Sequence, residues 1–350
     1  MSNQWMIYGA NGYTGRLCVQ EAIRRGEQPI LAGRNSEAVQ AIARQFSLPH
    51  RIFSLADEGL AKHFEDVHTL LLCAGPFSHT SRPALEACLK TGTHYVDVTG
   101  EIPVFEACRG THDDAMRAGI AVLPGAGFDV VPTDCLAKSL SERLPSATHL
   151  TLAFAASGES SLSHGTATTM VENLGNGSAV REDGKIRVIR AGSRQKPIPF
   201  RDRLREGVAI PWGDISTAHH STGIPNIEVY MTAPSRMRKA MKIAGYLGPI
   251  LQCKPAQWAL KKVVDKNITG PDEIARKRSR TQLWGQVTDE NESVSATLEA
   301  PEGYTITART SVDISLRIRN NELVPGFHTP STAFGSDYIL GFEDCSLVFS

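Results

Sequence analysis

The sequence predicts an α/β fold: an N-terminal doubly wound parallel sheet, followed by a second α+β domain built on a mixed sheet. Three observations carry the prediction. Short apolar runs alternate with amphipathic stretches through the first 125 residues. A glycine-rich turn directly follows the first apolar run. Beyond Pro124 the alternation stops and strand-like segments succeed one another. Alternation with short loops implies parallel strands joined by helices. Strand-like segments without periodic helices between them imply a mixed or antiparallel sheet.

The expected strands of the first domain are residues 5–9, 29–32, 51–55, 69–74, 95–98 and 120–123. Helical patterns fill the gaps. Residues 14–25 form the first and stop at Gly26. Ser36 is a candidate N-cap for the second, in which Val39, Ile42, Ala43 and Phe46 repeat at helical spacing. Residues 81–90 form the third and end before Gly92. After the loop Gly125-Ala126-Gly127-Phe128, a helix is expected over Val131–Arg143, ending at Pro145. Strands are then expected at 149–155, Lys185–Ile189, 227–232, 282–288 and 293–298. Residues 308–319 are ambiguous. Val312, Ile314, Leu316 and Ile318 alternate like a strand, whereas Ala308, Val312, Ser315 and Leu316 fit a helix face.

Lys+Arg and Asp+Glu balance at 37 each, so no global field draws in nucleic acid. The seven cysteines form no CxxC and no Cys/His cluster of metal-binding spacing, so no metal site is expected. The N-terminus lacks a basic region followed by an apolar run, and the longest apolar stretch, 243–253, is too short to span a bilayer. The expectation is a cytoplasmic protein.

The turn Gly9-Ala10-Asn11-Gly12-Tyr13-Thr14-Gly15 has the spacing GxxGxxG between a strand and a helix. The first glycine permits the tight turn, the second lets the backbone approach a pyrophosphate, and the third lets helix and strand pack closely. The helix N-terminus then offers N–H groups and a positive dipole end to the phosphates. These features predict a dinucleotide-binding Rossmann domain. The second strand ends Leu31-Ala32-Gly33-Arg34-Asn35, without the carboxylate that binds both ribose hydroxyls of NAD. Arg34, 19 residues after Gly15, is placed to pair with a 2′-phosphate, which favours NADP(H). The fourth strand ends Cys73-Ala74-Gly75-Pro76-Phe77. Small residues there suit the nicotinamide ribose, and Pro76 and Phe77 suit a wall for the ring.

Glu101 and Asp129 follow strand ends and are the leading candidates for substrate contact or proton transfer, with His164 a third. Glu101 is equally suited to capping a helix, Asp129 to bonding the glycine-rich loop, and His164 to an ordinary loop position. Cys135 is a candidate thioester nucleophile for semialdehyde or acyl-phosphate reduction, but its helical apolar surroundings favour a buried small hydrophobe. Residues 236–280 carry 12 Lys/Arg against 3 Asp/Glu. Ile243, Tyr246, Leu247, Ile250 and Leu251 lie on one helical face there, which is expected to dock on the protein. A lid over an acidic substrate, a carrier-protein contact and an anionic membrane contact are the alternatives.

The motifs YGANGYTG (8–15), AGRN (32–35), CAGPFSHTSRPALEACLKTGTHYVDVTGE (73–101), PGAGFDVVPTD (124–134), GPDE (270–273) and PGFHTPSTAFG (325–335) together resemble the saccharopine dehydrogenase-like oxidoreductases, including trans-acting enoyl reductase-like members. The resemblance implies Gly9, Asn11, Gly12, Tyr13, Thr14, Gly15, Arg34, Ala74, Gly75 and Pro76 near the cofactor. It favours a helix at 308–319 and implies a C-terminal segment that returns to the nucleotide domain. The expected layout is a nucleotide domain over 1–124 with a return segment at about 325–350. A substrate or dimerisation domain over 125–324 is expected to carry the basic helical insertion. The expected function is NADP(H)-dependent hydride transfer with a small or lipid-like substrate, in a homodimer. A non-catalytic nucleotide-binding or membrane-associated protein of the same fold is the competing class.

Overall fold

The computed structural model describes residues 4–157, 163–173, 175–267 and 270–350. The first three residues of the stretch read for a leader, and residues 268–269 of the basic segment, lie outside the described residues. The elements run β1 (Trp5–Tyr8), α1 (Tyr13–Arg24), β2 (Ile30–Gly33), α2 (Ser36–Phe46), β3 (His50–Ile52), β4 (Thr69–Leu72), α3 (Phe77–Thr91), β5 (His94–Asp97), α4 (Ile102–Gly110), α5 (His112–Ala118) and β6 (Ala121–Leu123). Next come α6 (Val131–Arg143), β7 (His149–Ser157), α7 (His164–Asn173), β8 (Ser178–Glu182), β9 (Lys185–Ile189), β10 (Gln195–Pro199), β11 (Leu204–Ala209), α8 (Asp214–Thr222) and β12 (Asn226–Thr232). The chain ends with α9 (Ser235–Tyr246), α10 (Gly248–Leu251), α11 (Lys254–Asn267), α12 (Glu273–Arg278), β13 (Arg280–Thr288), β14 (Ser293–Pro301), α13 (Gly303–Arg319), β15 (Gly326–Phe327), α14 (Pro330–Phe334) and β16 (Ser346–Phe349).

Two compact units divide the chain. The first comprises Met1–Val131 and Tyr304–Ala333, and the second Pro132–Gly303 and Phe334–Ser350. The first unit holds a sheet of order β15-β6-β5-β4-β1-β2-β3 in which every pair is parallel. Strands β1, β2, β4 and β5 are buried at every position, as a sheet covered on both faces requires. Met6, Tyr8, Leu70, Leu72 and Tyr95 turn to one face and pack with Leu85 and Cys88 of α3, Val104 and Cys108 of α4 and Ala115 of α5.

Helix α13 joins this unit through α1. Arg25 donates to Glu21 (2.7 Å) and to Asp313 (2.8 Å), and Cys18 Sγ lies 3.4 Å from Ser311 Oγ. Its buried Thr310, Ser311 and Ser315 each donate back to the carbonyl four residues earlier, so the hydroxyls are satisfied inside the core.

The second unit holds a mixed sheet of order β10-β11-β12-β7-β13-β14-β16, with β8 pairing β12 and β9. Among the described residues, only β12 and β7 run parallel in its pairs. Helix α6 crosses β13 at Gly285, where a side chain would meet Leu140 at 2.6 Å and Leu136 at 3.1 Å.

The α/β class and the two sheets agree with the sequence reading, and residues 308–319, ambiguous by pattern, form the helix that the resemblance favours. The domain limits need correction. Residues 125–131 and 304–324 belong to the first unit, because α13 packs there and β15 extends the parallel sheet beside β6. Residues 334–350 belong to the second, because β16 pairs with β14. Among the described residues, the basic insertion forms four helices, α9 to α12, and ends in the first residue of β13. Helix α3 begins at Phe77 rather than near 81, and Asn35, not Ser36, caps α2. Helices α4, α5, α7, α8 and α14 and strands β8, β10, β11, β15 and β16 were not expected.

Candidate functional site

The glycine turn and the ends of β2, β4, β5 and β6 lie at the carboxyl edge of the parallel sheet, where ligands bind in this architecture. Gly9 has φ 84°, and its N–H donates to Ala32 O at 2.8 Å. A side chain on Gly9 would stand 2.8 Å from Ala74 N, so β1 and β4 approach each other too closely for any other residue. On Gly15 it would stand 2.2 Å from Gly9 O, which is the close approach of α1 to the turn. Gly12, the exposed N-cap of α1, makes no side-chain capping hydrogen bond. Asn11 lies over Gly33, its Oδ1 being 3.1 Å from where a side chain on Gly33 would begin. Tyr13 packs edge-on against Tyr304 at 4.9 Å. Thr14, half-buried in the first turn of α1, completes the set. This cradle fits a dinucleotide pyrophosphate, since the space at Gly9 and Gly15 is backbone-only and the helix end is uncapped.

Arg34 and Asn35 follow β2 on the surface. Asn35 accepts the Ala38 N–H at 3.0 Å and so starts α2. The Arg34 guanidinium has no hydrogen bond or ion pair among the described residues. Ala74, Gly75, Pro76 and Phe77 follow β4, and Thr80 Oγ1 holds that turn by donating to Ala74 O at 2.6 Å.

Glu101 sits at the other side of that turn. Its two oxygens accept the N–H groups of Phe77 (2.7 Å) and Ser78 (3.0 Å), the first turn of α3. The carboxylate therefore caps a helix, though the preceding one rather than its own. Asp129 lies on the loop after β6 with Oδ2 2.0 Å from where a side chain on Gly100 would begin, so it covers the Thr99-Gly100-Glu101 turn. His164 is exposed at the first residue of α7, in the second unit, whereas Glu101 and Asp129 belong to the first.

Asp97 anchors the turns. Fully buried, it accepts Tyr95 Oη–H at 2.6 Å, Thr99 N–H at 2.9 Å and Gly125 N–H at 2.9 Å. Burial pushes its carboxyl up to about 6 against these three stabilising bonds. The loop after β6 is also held by α13. Thr310 donates to Ala126 O at 2.7 Å, and Phe128 N–H donates to Thr307 Oγ1 at 2.9 Å. No sequence signal links Thr307 and Thr310 to a loop some 180 positions away; only the tertiary fold does. Cys135 is wholly buried in α6, and burial pushes its thiol well above its ordinary value, which disfavours a thiolate nucleophile. No group of three or more His, Cys, Asp or Glu suited to a metal occurs among the described residues. No helix among them is long and apolar enough to cross a membrane.

Residues 5–123 match the family model described as Saccharopine dehydrogenase NADP binding domain. A probable mitochondrial saccharopine dehydrogenase-like oxidoreductase of Arabidopsis thaliana is 30% identical over 147 residues, covering 37% of this chain and 32% of that protein. A trans-acting enoyl reductase of Mycobacterium tuberculosis is 30% identical over 142 residues, covering 37% and 33%. The matched part thus spans about a third of the length of these curated relatives. In fold, the chain is similar to apo saccharopine dehydrogenase (L-Glu forming) of Saccharomyces cerevisiae, with a TM-score of 0.66 at 12% identity over 99% of both chains. Over residues 5–123 the chain is thus similar to the saccharopine dehydrogenase NADP-binding domain, in agreement with the resemblance carried by the sequence motifs.

Proposed function

We propose that this chain is an NADP(H)-dependent oxidoreductase of the saccharopine dehydrogenase-like kind, acting by direct hydride transfer on a small or lipid-like substrate. The observation that carries the cofactor preference is Arg34. It stands where an NAD site places a carboxylate, its guanidinium unengaged and beside the N-terminus of α2. A planar fork beside a helix N-terminus suits a 2′-phosphate. The nicotinamide supplies the hydride when bound. The turn from Gly9 to Gly15, with Asn11, Gly12, Tyr13 and Thr14, holds the pyrophosphate. Ala74, Gly75, Pro76 and Phe77 back the nicotinamide end. Glu101 acts as a positioning residue, because both its oxygens hold the α3 terminus. Asp129 is then the first candidate for holding a proton near the substrate, with His164 second. The relatives matched by the first domain are oxidoreductases, which supports an enzyme over a nucleotide-binding relic.

Calorimetric titration with NADPH and NADH, on the wild type and on Arg34→Ala, tests the reading. Tight NADPH binding that weakens about tenfold or more in the variant is expected from the loss of a charge-assisted pair. NADH binding should be weak in both proteins. Equal affinities for the two nucleotides in the wild type would overturn the preference, and no binding of either would overturn the function.

A further inference from the structure

We infer that α9 and α10 form a membrane-facing surface that docks the protein on an anionic lipid bilayer. The inference is independent of the cofactor reading. The sequence places Ile243, Tyr246, Leu247, Ile250 and Leu251 on one helical face, and such a face ordinarily docks on its own protein, yet only Leu251 of the five is half-buried. Here it does the opposite. Ile243 is 60% exposed, Tyr246 62%, Leu247 42% and Ile250 62%, while no residue of α9 is buried.

The side of α9 and α10 that meets the protein is built from small residues. A side chain on Gly245 would stand 2.5 Å from Ala191 O, and one on Gly192 would stand 2.7 Å from Lys242 N. Gly175 and Gly248 meet in the same way, at 2.7 Å from Gly248 O. Backbone-to-backbone contact seats the helices and leaves their large apolar side chains outward. Gln252 adds hydrogen bonds to Gly175 O (3.0 Å) and Asn176 Oδ1 (2.9 Å). The seat is therefore fixed, and the outward face is a built feature rather than a frayed end.

Charge selects the occupant. Residues 234–264 carry seven Lys/Arg and no Asp/Glu. Arg236, Lys239 and Lys242 have no ion pair among the described residues, so their charges are available to a partner. Arg190 lies over the Tyr246 ring at 4.1 Å, adding a cation at the aromatic edge. In α11, Trp258 is 62% exposed with Lys262 at 3.9 Å from its ring. Isoleucine, leucine, tyrosine and tryptophan beside unpaired lysine and arginine are the chemistry of a helix lying in the headgroup layer of anionic lipid. A second copy of this chain would bring the same positive charge to the contact and repel it.

Vesicle flotation of the full chain tests this, with phosphatidylcholine alone and with phosphatidylcholine containing 30 mol% phosphatidylserine as a roughly physiological anionic surface. The chain should float with the anionic vesicles, remain behind with the neutral ones, and release as salt is raised. Arg236→Glu with Lys239→Glu should lower the bound fraction about tenfold or more at low salt. Ile243→Asp with Ile250→Asp should abolish flotation. All four residues are exposed or unpaired, and unchanged circular dichroism and melting would show that the variants fold. In Ile243→Trp, the tryptophan emission should shift to the blue on anionic vesicles. Absence of flotation, or flotation unchanged in both double variants, overturns the inference. A dimer in sedimentation that Ile243→Asp with Ile250→Asp dissociates also overturns it, by assigning the face to a second copy.

Discussion

The Glu101 carboxylate accepts the N–H groups of Phe77 and Ser78 at 2.7 and 3.0 Å, so a residue beyond β5 closes the helix that follows β4. This bond fixes the Gly75-Pro76-Phe77 turn from the outside. Removing it leaves two helix N–H groups without their partner. Glu101→Ala should cost about 1–3 kcal/mol of stability and weaken dinucleotide binding. Glu101→Gln keeps an acceptor and should cost less than half as much. Melting and calorimetry on both variants check the ranking. A general acid would instead lose turnover in the Gln variant with the melting temperature unmoved.

The glycine turn separates structural from ligand effects. Alanine at Gly15 puts a carbon 2.2 Å from Gly9 O, and at Gly9 puts one 2.8 Å from Ala74 N at φ 84°. Each substitution should destabilise by about 2 kcal/mol or more and abolish dinucleotide binding. At Gly12 the nearest atom is Gly9 O at 3.3 Å. Gly12→Ala should therefore fold with nearly wild-type stability yet bind dinucleotide more weakly, since its methyl occupies the phosphate approach. Equal loss of melting temperature in all three would contradict the distinction.

Asp97 and His94 oppose each other in their pH dependence. Burial raises Asp97 from 3.8 to about 6, so the folded protein keeps a proton that the unfolded chain has lost. Its contribution to stability falls as pH rises from about 4 to 6 and is level above. Burial, with His68 nearby, lowers His94 from 6.5 to about 4, and its Nδ1 accepts the Ala121 N–H. Its contribution is present above 6.5 and is lost as pH falls toward 4. Each amplitude is on the order of 3 kcal/mol. Asp97→Asn retains Oδ1 for Thr99 and Gly125, and should expose the His94 loss on acidification. His94→Asn should show the reverse slope. Denaturant unfolding from pH 4 to 7 reads both, and parallel profiles in the two variants would refute the assignment.

Thiol accessibility distinguishes Cys135 from a nucleophile. Cys253 is exposed, whereas Cys18, Cys88, Cys108 and Cys135 are buried. A native thiol titration should show a fast phase that Cys253→Ser removes. Cys135 should react only on unfolding, given its raised thiol and complete burial. Fast labelling of Cys135 in the native protein would restore the thioester mechanism.

Much of the first domain was legible because its signals are local. Strands buried on both faces read as continuous apolar runs, and the turn from Gly9 to Gly15 is a contiguous motif in which Gly9 and Gly15 are demanded by close backbone contacts within the same unit. The helix over 308–319 was less legible. Its buried Thr and Ser side chains bond to their own backbone, which hides them from a hydrophobic pattern and leaves the alternation of Val312, Ile314 and Leu316 to suggest a strand. Glu101 was legible as a strand-end carboxylate, but the helix it caps was not, since Phe77 lies 24 positions away.

The sequence by itself determined the α/β class, the phosphate turn and the absence of a carboxylate after β2, because each depends on neighbours along the chain. The tertiary structure alone decided which unit takes each C-terminal segment, since β15 and β16 are short strands that acquire meaning only from the sheet edge they meet. It also decided the sense of the α9 face. Helical periodicity says which residues share a side, but glycine contacts at 192, 245 and 248 decide that this side points away from the protein.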